Sequence, residues 1–235
     1  MLPNILLIVI SSVISLIGFS QEFSVEHYGA LKNFMHKNDL SAKVSLSDFE
    51  GLEHTYALGA LENLQGEILI LNQEAYISTI EDNQCIIDTT FQQKASLLVS
   101  AQVKKWESIP LKGRLNKAKL EKEIEHAAQK AGLDIEMPFP FRLEGTVERL
   151  QWHVIQWDLS DSVHTHQKHV ESGINGEINQ QDVEILGFYS KHHHAVFTHH
   201  STNMHLHFIT DDVKLAGHVD DITMKAKVTL FLPEL

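Results

Sequence analysis

The pattern of apolar and polar positions along the chain predicts a molecule built mainly of strands. Residues 66–71 read G-E-I-L-I-L, a short apolar run of β-prone side chains, and residues 75–80 repeat the pattern after N-Q-E. Two such runs joined by a short polar turn predict a hairpin. Further strands are predicted over residues 95–103, 151–159, 184–189, 204–209 and 225–232. Only residues 115–131 change period. There Leu120, Ile124, Ala127, Ala128 and Ala131 recur every three or four positions, charged residues fill the gaps, and Gly132 follows. That spacing predicts one amphipathic helix covering a core. Pro138 and Pro140 then hold the chain extended as it enters the next strand. The fold class predicted is α+β, with far more strand than helix.

The strand over residues 204–209 carries unusual chemistry. In M-H-L-H-F-I, successive side chains point to opposite faces, so His205 and His207 share one face while Leu206 and Phe208 share the other. Turn-forming residues follow, and His218 stands at the start of the next apolar stretch. A hairpin return brings His218 beside the pair. Three neutral imidazoles with an open position form the pattern of a catalytic zinc site. The H-x-H pair alone also fits two exposed strand histidines, and the third histidine shifts the reading towards metal.

Composition sharpens this picture. The chain holds 16 histidines among 235 residues, and 12 of them lie after residue 150. His164, His166 and His169 are read as a surface loop, and 192–194 and 199–200 as a solvated histidine loop. One cysteine, Cys85, excludes both an internal disulfide and a multi-cysteine zinc site. A net charge of −12 argues against a nucleic-acid partner. Hydrophobic residues make up 43% of the chain, enough for a packed core. Residues 5–19 are almost wholly apolar, with Gly18 and Ser20 placed for cleavage before Gln21. This reads as an export signal over residues 1–20, with an uncleaved anchor as the alternative. A cleaved signal implies a periplasmic or secreted protein without a stable membrane anchor.

The segment M-H-L-H-F-I-T-D-D-V-K-L-A-G-H-V resembles the alpha-acetolactate decarboxylase family, whose signature is H-L-H-F-I, an acidic turn and G-G-H-V. Two further blocks agree in order: Gly59-Ala60-Leu61 through Gly66-Glu67, and Pro140-Phe141-Arg142-Leu143-Glu144-Gly145. The likeness spans roughly residues 50 to 232. It implies a mixed β-sheet subdomain (about 21–135, with the helix) joined to a metal-binding, barrel-like subdomain (about 136–235), as a homodimer. It implies zinc on His205, His207 and His218, with Glu67 and Arg142 as catalytic residues near the metal. The reaction implied is loss of carbon dioxide from 2-acetolactate, a 2-hydroxy-3-keto acid, to give acetoin. Ala60 departs from the family's usual threonine, and the segment F-L-P-E-L at 231–235 offers no counterpart of a second glutamate that the family carries in a C-terminal extension. The alternative function is a secreted, histidine-rich metal-binding protein on the same scaffold.

Overall fold

A computed structural model describes residues 23–225 and 227–235. The predicted export signal at 1–20 lies outside the described residues. The chain forms two antiparallel seven-stranded sheets. The first contains β1 (Val25–Tyr28), β2 (Val44–Ser45), β3 (Thr55–Leu61), β4 (Glu67–Leu71), β5 (Glu74–Glu81), β6 (Gln84–Asp88) and β7 (Lys94–Gln102), with the short helix α1 (Leu31–Lys37) after β1. The second contains β8 (Trp106–Leu111), β9 (Leu115–Asn116), β10 (Phe139–Val154), β11 (Ile174–Tyr189), β12 (Met204–Thr210), β13 (Ala216–Met224) and β14 (Val228–Pro233). It also carries α2 (Lys117–Lys130) and α3 (His166–Glu171).

The mostly-β α+β class follows the sequence reading, and the β4–β5 hairpin pairs as predicted. Two strands are much longer than their apolar runs. β10 and β11 each span 16 residues because much of their length is half exposed and paired through the backbone rather than marked by continuous apolar side chains. The predicted strand at 151–159 ends at Val154, where the chain leaves the sheet.

The second sheet closes on itself. β10 pairs with β11, β11 with β12, β12 with β13, and β13 returns to β10. Register shifts in the β10–β13 pairing, one in β10 between Val147 and Arg149 and one in β13 at Asp220, mark the irregularities that let the sheet curl. The barrel-like interior is filled by residues such as Phe141, Leu143, Phe208, Ile222 and Leu230. Leu120, Ile124 and Ala128 of α2 pack into the same core. The sheets therefore change over between Gln102 and Trp106, and α2 belongs with the second sheet rather than with the first half of the chain.

A second core lies between the sheets. It joins Leu58, Leu69, Leu97 and Val99 of the first sheet to Leu186, Phe188 and Ile209 on the outer face of the barrel wall. A third, including Leu46, Ile68, Ile70 and Leu98, covers the far face of the first sheet. Strand alternation thus puts Ile68 and Ile70 on that far face, and Glu67 with Leu69 on the face turned towards the barrel.

Candidate metal centre

Three strands bring histidines into one row. In the pairing of β12 with β13, His207 stands opposite His218. In the pairing of β13 with β10, His218 stands opposite His153. Residues directly opposite in a ladder share a face. Leu206, Phe208, Val219, Trp152 and Val154 fill the barrel, so the histidines project from its outside towards the first sheet. His205, two positions before His207, joins them. Ligand atoms of His205, His207 and His218 all lie within 4.8 Å of one another.

The donor set fits a metal ion. The Nε2 atoms of His205 and His207 are 3.2 Å apart. Two ligands of a tetrahedral zinc ion, each at about 2.0–2.1 Å, are separated by roughly 3.3 Å. The Nδ1 atoms of His205 and His207 are buried without a hydrogen-bond partner, while His218 Nδ1 lies 3.3 Å from Asp220 Oδ1. Leaving buried polar atoms unsatisfied costs about 1–3 kcal/mol each, so this cluster is held at an energetic cost that metal ligation can offset. Burial holds His205 and His207 well below the ordinary histidine value and brings His218 down to about 4. All three are therefore neutral near pH 7, the form that binds metal.

Glu67 meets this row from the opposite sheet. Its Oε2 lies 3.6 Å from His207 Nε2, and its Oε1 lies 3.7 Å from His153 Nε2. The backbone N–H of Ile155 donates to Oε1 at 3.4 Å. Burial pushes the Glu67 carboxyl up to about 8 against the opposing pull of His153. Behind His153, Asp220 is in contact with Nδ1 at 2.9 Å. Burial acts downward on His153, but Asp220 and Glu67 outweigh it and hold the ring above its ordinary value. Burial acts upward on Asp220, and its contacts with His153 and His218 hold it well below the carboxylate range. His153, His218 and Asp220 form a second candidate ligand group that shares one histidine with the first.

The centre opens into a cavity of about 430 Å³. Phe34, Leu64, Leu97, Ile155 and Phe197 make its walls apolar. Glu67, His153, His205 and His218 reach its surface, while His207 is fully buried behind them.

The family model described as alpha-acetolactate decarboxylase matches residues 52–233. The chain belongs to this family. Alpha-acetolactate decarboxylase from Bacillus subtilis strain 168 superposes with a TM-score of 0.72 at 13% identity, over 90% of this chain and 86% of that one. The acetolactate decarboxylase of Bacillus subtilis subspecies spizizenii gives 0.73 at 14% identity, over 90% and 87%. A Staphylococcus aureus protein of unknown function, similar to alpha-acetolactate decarboxylase, gives 0.71 at 17% identity, over 89% and 85%. At these identities the structures establish a shared fold. No curated protein matches the chain by sequence.

Within this acetolactate decarboxylase scaffold, His205, His207, His218 and Glu67 converge. Arg142 does not join them. Its Nε donates to Glu184 and a terminal nitrogen donates to Glu144, each at 2.7 Å. Its guanidinium lies 4.9 Å from the Phe231 ring centre and 5.7 Å from that of Trp106. The reason is topological. Arg142 stands opposite Leu186, which stands opposite His207. Two inter-strand steps separate Arg142 from the histidine row, roughly 10 Å, and it is absent from the cavity wall among the described residues. Ala60, paired in register with Glu67, does line the cavity.

The histidine loops differ from expectation in part. His164 is buried, stacks on Trp157 and contacts His169 Nε2 at 2.9 Å and Asn38 Oδ1 at 2.8 Å. His166 and His169 belong to α3 and line the cavity, as do His199 and His200. Tertiary packing therefore draws His164 and His169 inwards, while His166, His192, His194 and His200 stay exposed at the surface or the cavity rim. His153, Asp220 and Lys117 were not singled out from sequence. The one available signal was position: His153 alternates with Trp152 and Val154, and Asp220 follows His218 by two residues, on the same strand face.

Proposed function

We propose that the protein is a zinc-dependent acetolactate decarboxylase that converts 2-acetolactate to acetoin and carbon dioxide. The observation that carries this is the convergence of His205, His207 and His218 to within 4.8 Å, with Glu67 lying 3.6 Å from His207 on the facing sheet. Zinc bound to the three imidazoles would supply Lewis-acid polarisation of the substrate's hydroxyl and ketone oxygens.

The chain's own residues account for the rest. Apolar walls exclude water and strengthen electrostatic interactions inside the cavity. Cleavage of the bond to the carboxylate releases carbon dioxide and leaves the electron pair delocalised as an enediolate. One proton at the former carboxylate-bearing carbon completes acetoin. Glu67 suits that delivery by position, because its carboxyl reaches the cavity beside the histidine row and burial favours the protonated form that a general acid requires. In the same reading the apolar segment at 5–19 directs export, and the enzyme works as a homodimer outside the cytoplasm.

The test is product formation from racemic 2-acetolactate by the zinc-loaded protein. Acetoin should appear, and His207→Ala should abolish both zinc binding and turnover. Stoichiometric zinc without acetoin would overturn the assignment.

A further inference from the structure

A 2-hydroxy-3-keto acid carries a carboxylate, and with the metal engaged by the hydroxyl and ketone oxygens that charge needs a positive partner of its own in an apolar cavity. Arg142 is already engaged by Glu144 and Glu184 and stands off the cavity wall. Lys117 does line the wall, together with Glu67, His205 and His218. Its Nζ donates to the Asp220 backbone carbonyl at 2.8 Å. Burial lowers the Lys117 ammonium below its ordinary value, against the opposing pull of Asp220, Asp221 and Glu121. Among the described residues none of them comes within ion-pair distance of it, which leaves the remaining ammonium protons for a ligand.

The position of Lys117 is costly for the helix. It is the first residue of α2, after the Asn116 N-cap, and no acidic residue occupies that first turn. The N-terminal end of a helix carries partial positive charge, and a cation there is normally disfavoured. The short pairing of β9 with Thr223 and Met224 of β13 fixes this helix start beside the histidine row. The same dipole that opposes a lysine assists the binding of an anion.

We infer that Lys117 is the carboxylate-binding residue of this site, holding the acid group of a 2-hydroxy carboxylate from the wall opposite Glu67's sheet. This rests on the substrate class proposed above, in which family resemblance had given the cationic role to Arg142. The ammonium makes its contact as a point charge rather than a planar fork. It fixes the carboxylate end of the substrate and so orients the carbon–carbon bond to be broken.

The test uses direct binding, so that it stands apart from turnover. Calorimetric titration of the zinc-loaded protein with 2-hydroxyisobutyrate, a 2-hydroxy acid that lacks the ketone, should show binding. Lys117→Met should weaken it about 10- to 100-fold, the range for loss of a charged hydrogen bond. Lys117→Arg should stay within about threefold of the wild type, because the charge is retained. Binding of acetoin, which has no carboxylate, measured by the same titration, should be unchanged in both variants. Unchanged 2-hydroxyisobutyrate binding by folded, zinc-loaded Lys117→Met would overturn the inference, as would equal losses for the acid and for acetoin. Should the methionine variant fold poorly, Lys117→Gln carries the same comparison. Failure of the wild type to bind the acid also overturns it. Failure to make acetoin despite normal acid binding would instead count against the decarboxylase assignment.

Discussion

At the residue scale, Glu67 is the most informative side chain. A carboxyl buried to 5% exposure between two imidazoles is disfavoured as an anion. Below its ordinary value of 4.5, folded and unfolded chains both hold the proton; between 4.5 and about 8 only the folded chain keeps it. The unfolded state then binds fewer protons, so stability falls as pH rises through that window. In chelator-treated protein, Glu67→Gln should raise the melting temperature at pH 8 and leave it unchanged near pH 4. An equal shift at both pH values would show that Glu67 acts through packing alone. In the zinc-loaded enzyme, the same substitution should reduce turnover by about 10²- to 10⁴-fold, the usual worth of a positioned general acid. Zinc content should hardly change. If metal and activity fall in parallel, Glu67 is a ligand or a structural residue rather than the proton donor.

At the scale of elements, the β12–β13 hairpin and its contact with β10 set the metal geometry. Gly217 precedes His218, and a Cβ there would lie 2.7 Å from the His153 backbone carbonyl. Gly217→Val must push β13 away from β10 and turn the His218 ring. Zinc affinity should fall by about 10- to 100-fold, as it does when groups orienting metal ligands are lost. Competition with a chromogenic chelator reads this directly, and unchanged affinity would mean that β13 is not the element fixing the site. This hairpin was legible in the sequence because M-H-L-H-F-I alternates cleanly and a turn follows it. Glu67 was legible only through the block resembling the family. Nothing local in G-E-I-L-I-L distinguishes a buried carboxylate from an exposed one. The distance of Arg142 from the histidine row was not legible, because its motif says nothing about β11, which lies between its strand and that of His207. Lys117 is one of the charged residues of the predicted helix over 115–131, and nothing local marks it as inward-facing. Its inward placement depends on the register of β9 with β13, a contact between segments over a hundred residues apart.

At the scale of the whole molecule, the centre ties the two sheets together. Glu67 comes from the first, and the histidines come from the second. The sheets also share an apolar core and the hydrogen bond from Ser78 Oγ to the Ala216 carbonyl at 2.9 Å. A metal bound at their junction stabilises the folded state by mass action. Free zinc at a thousand times its dissociation constant should add about 4 kcal/mol. Chelation should therefore lower the melting temperature of the wild type and leave that of His207→Ala unmoved. The rim histidines His166, His199 and His200 complicate any bulk measurement, because they can bind zinc loosely without belonging to the centre. Anomalous scattering at the zinc edge from crystals of the zinc-loaded protein separates the two directly. A dominant peak should lie about 2.0–2.2 Å from one ring nitrogen each of His205, His207 and His218. A dominant peak at the rim histidines, or none at the buried row, would contradict the account.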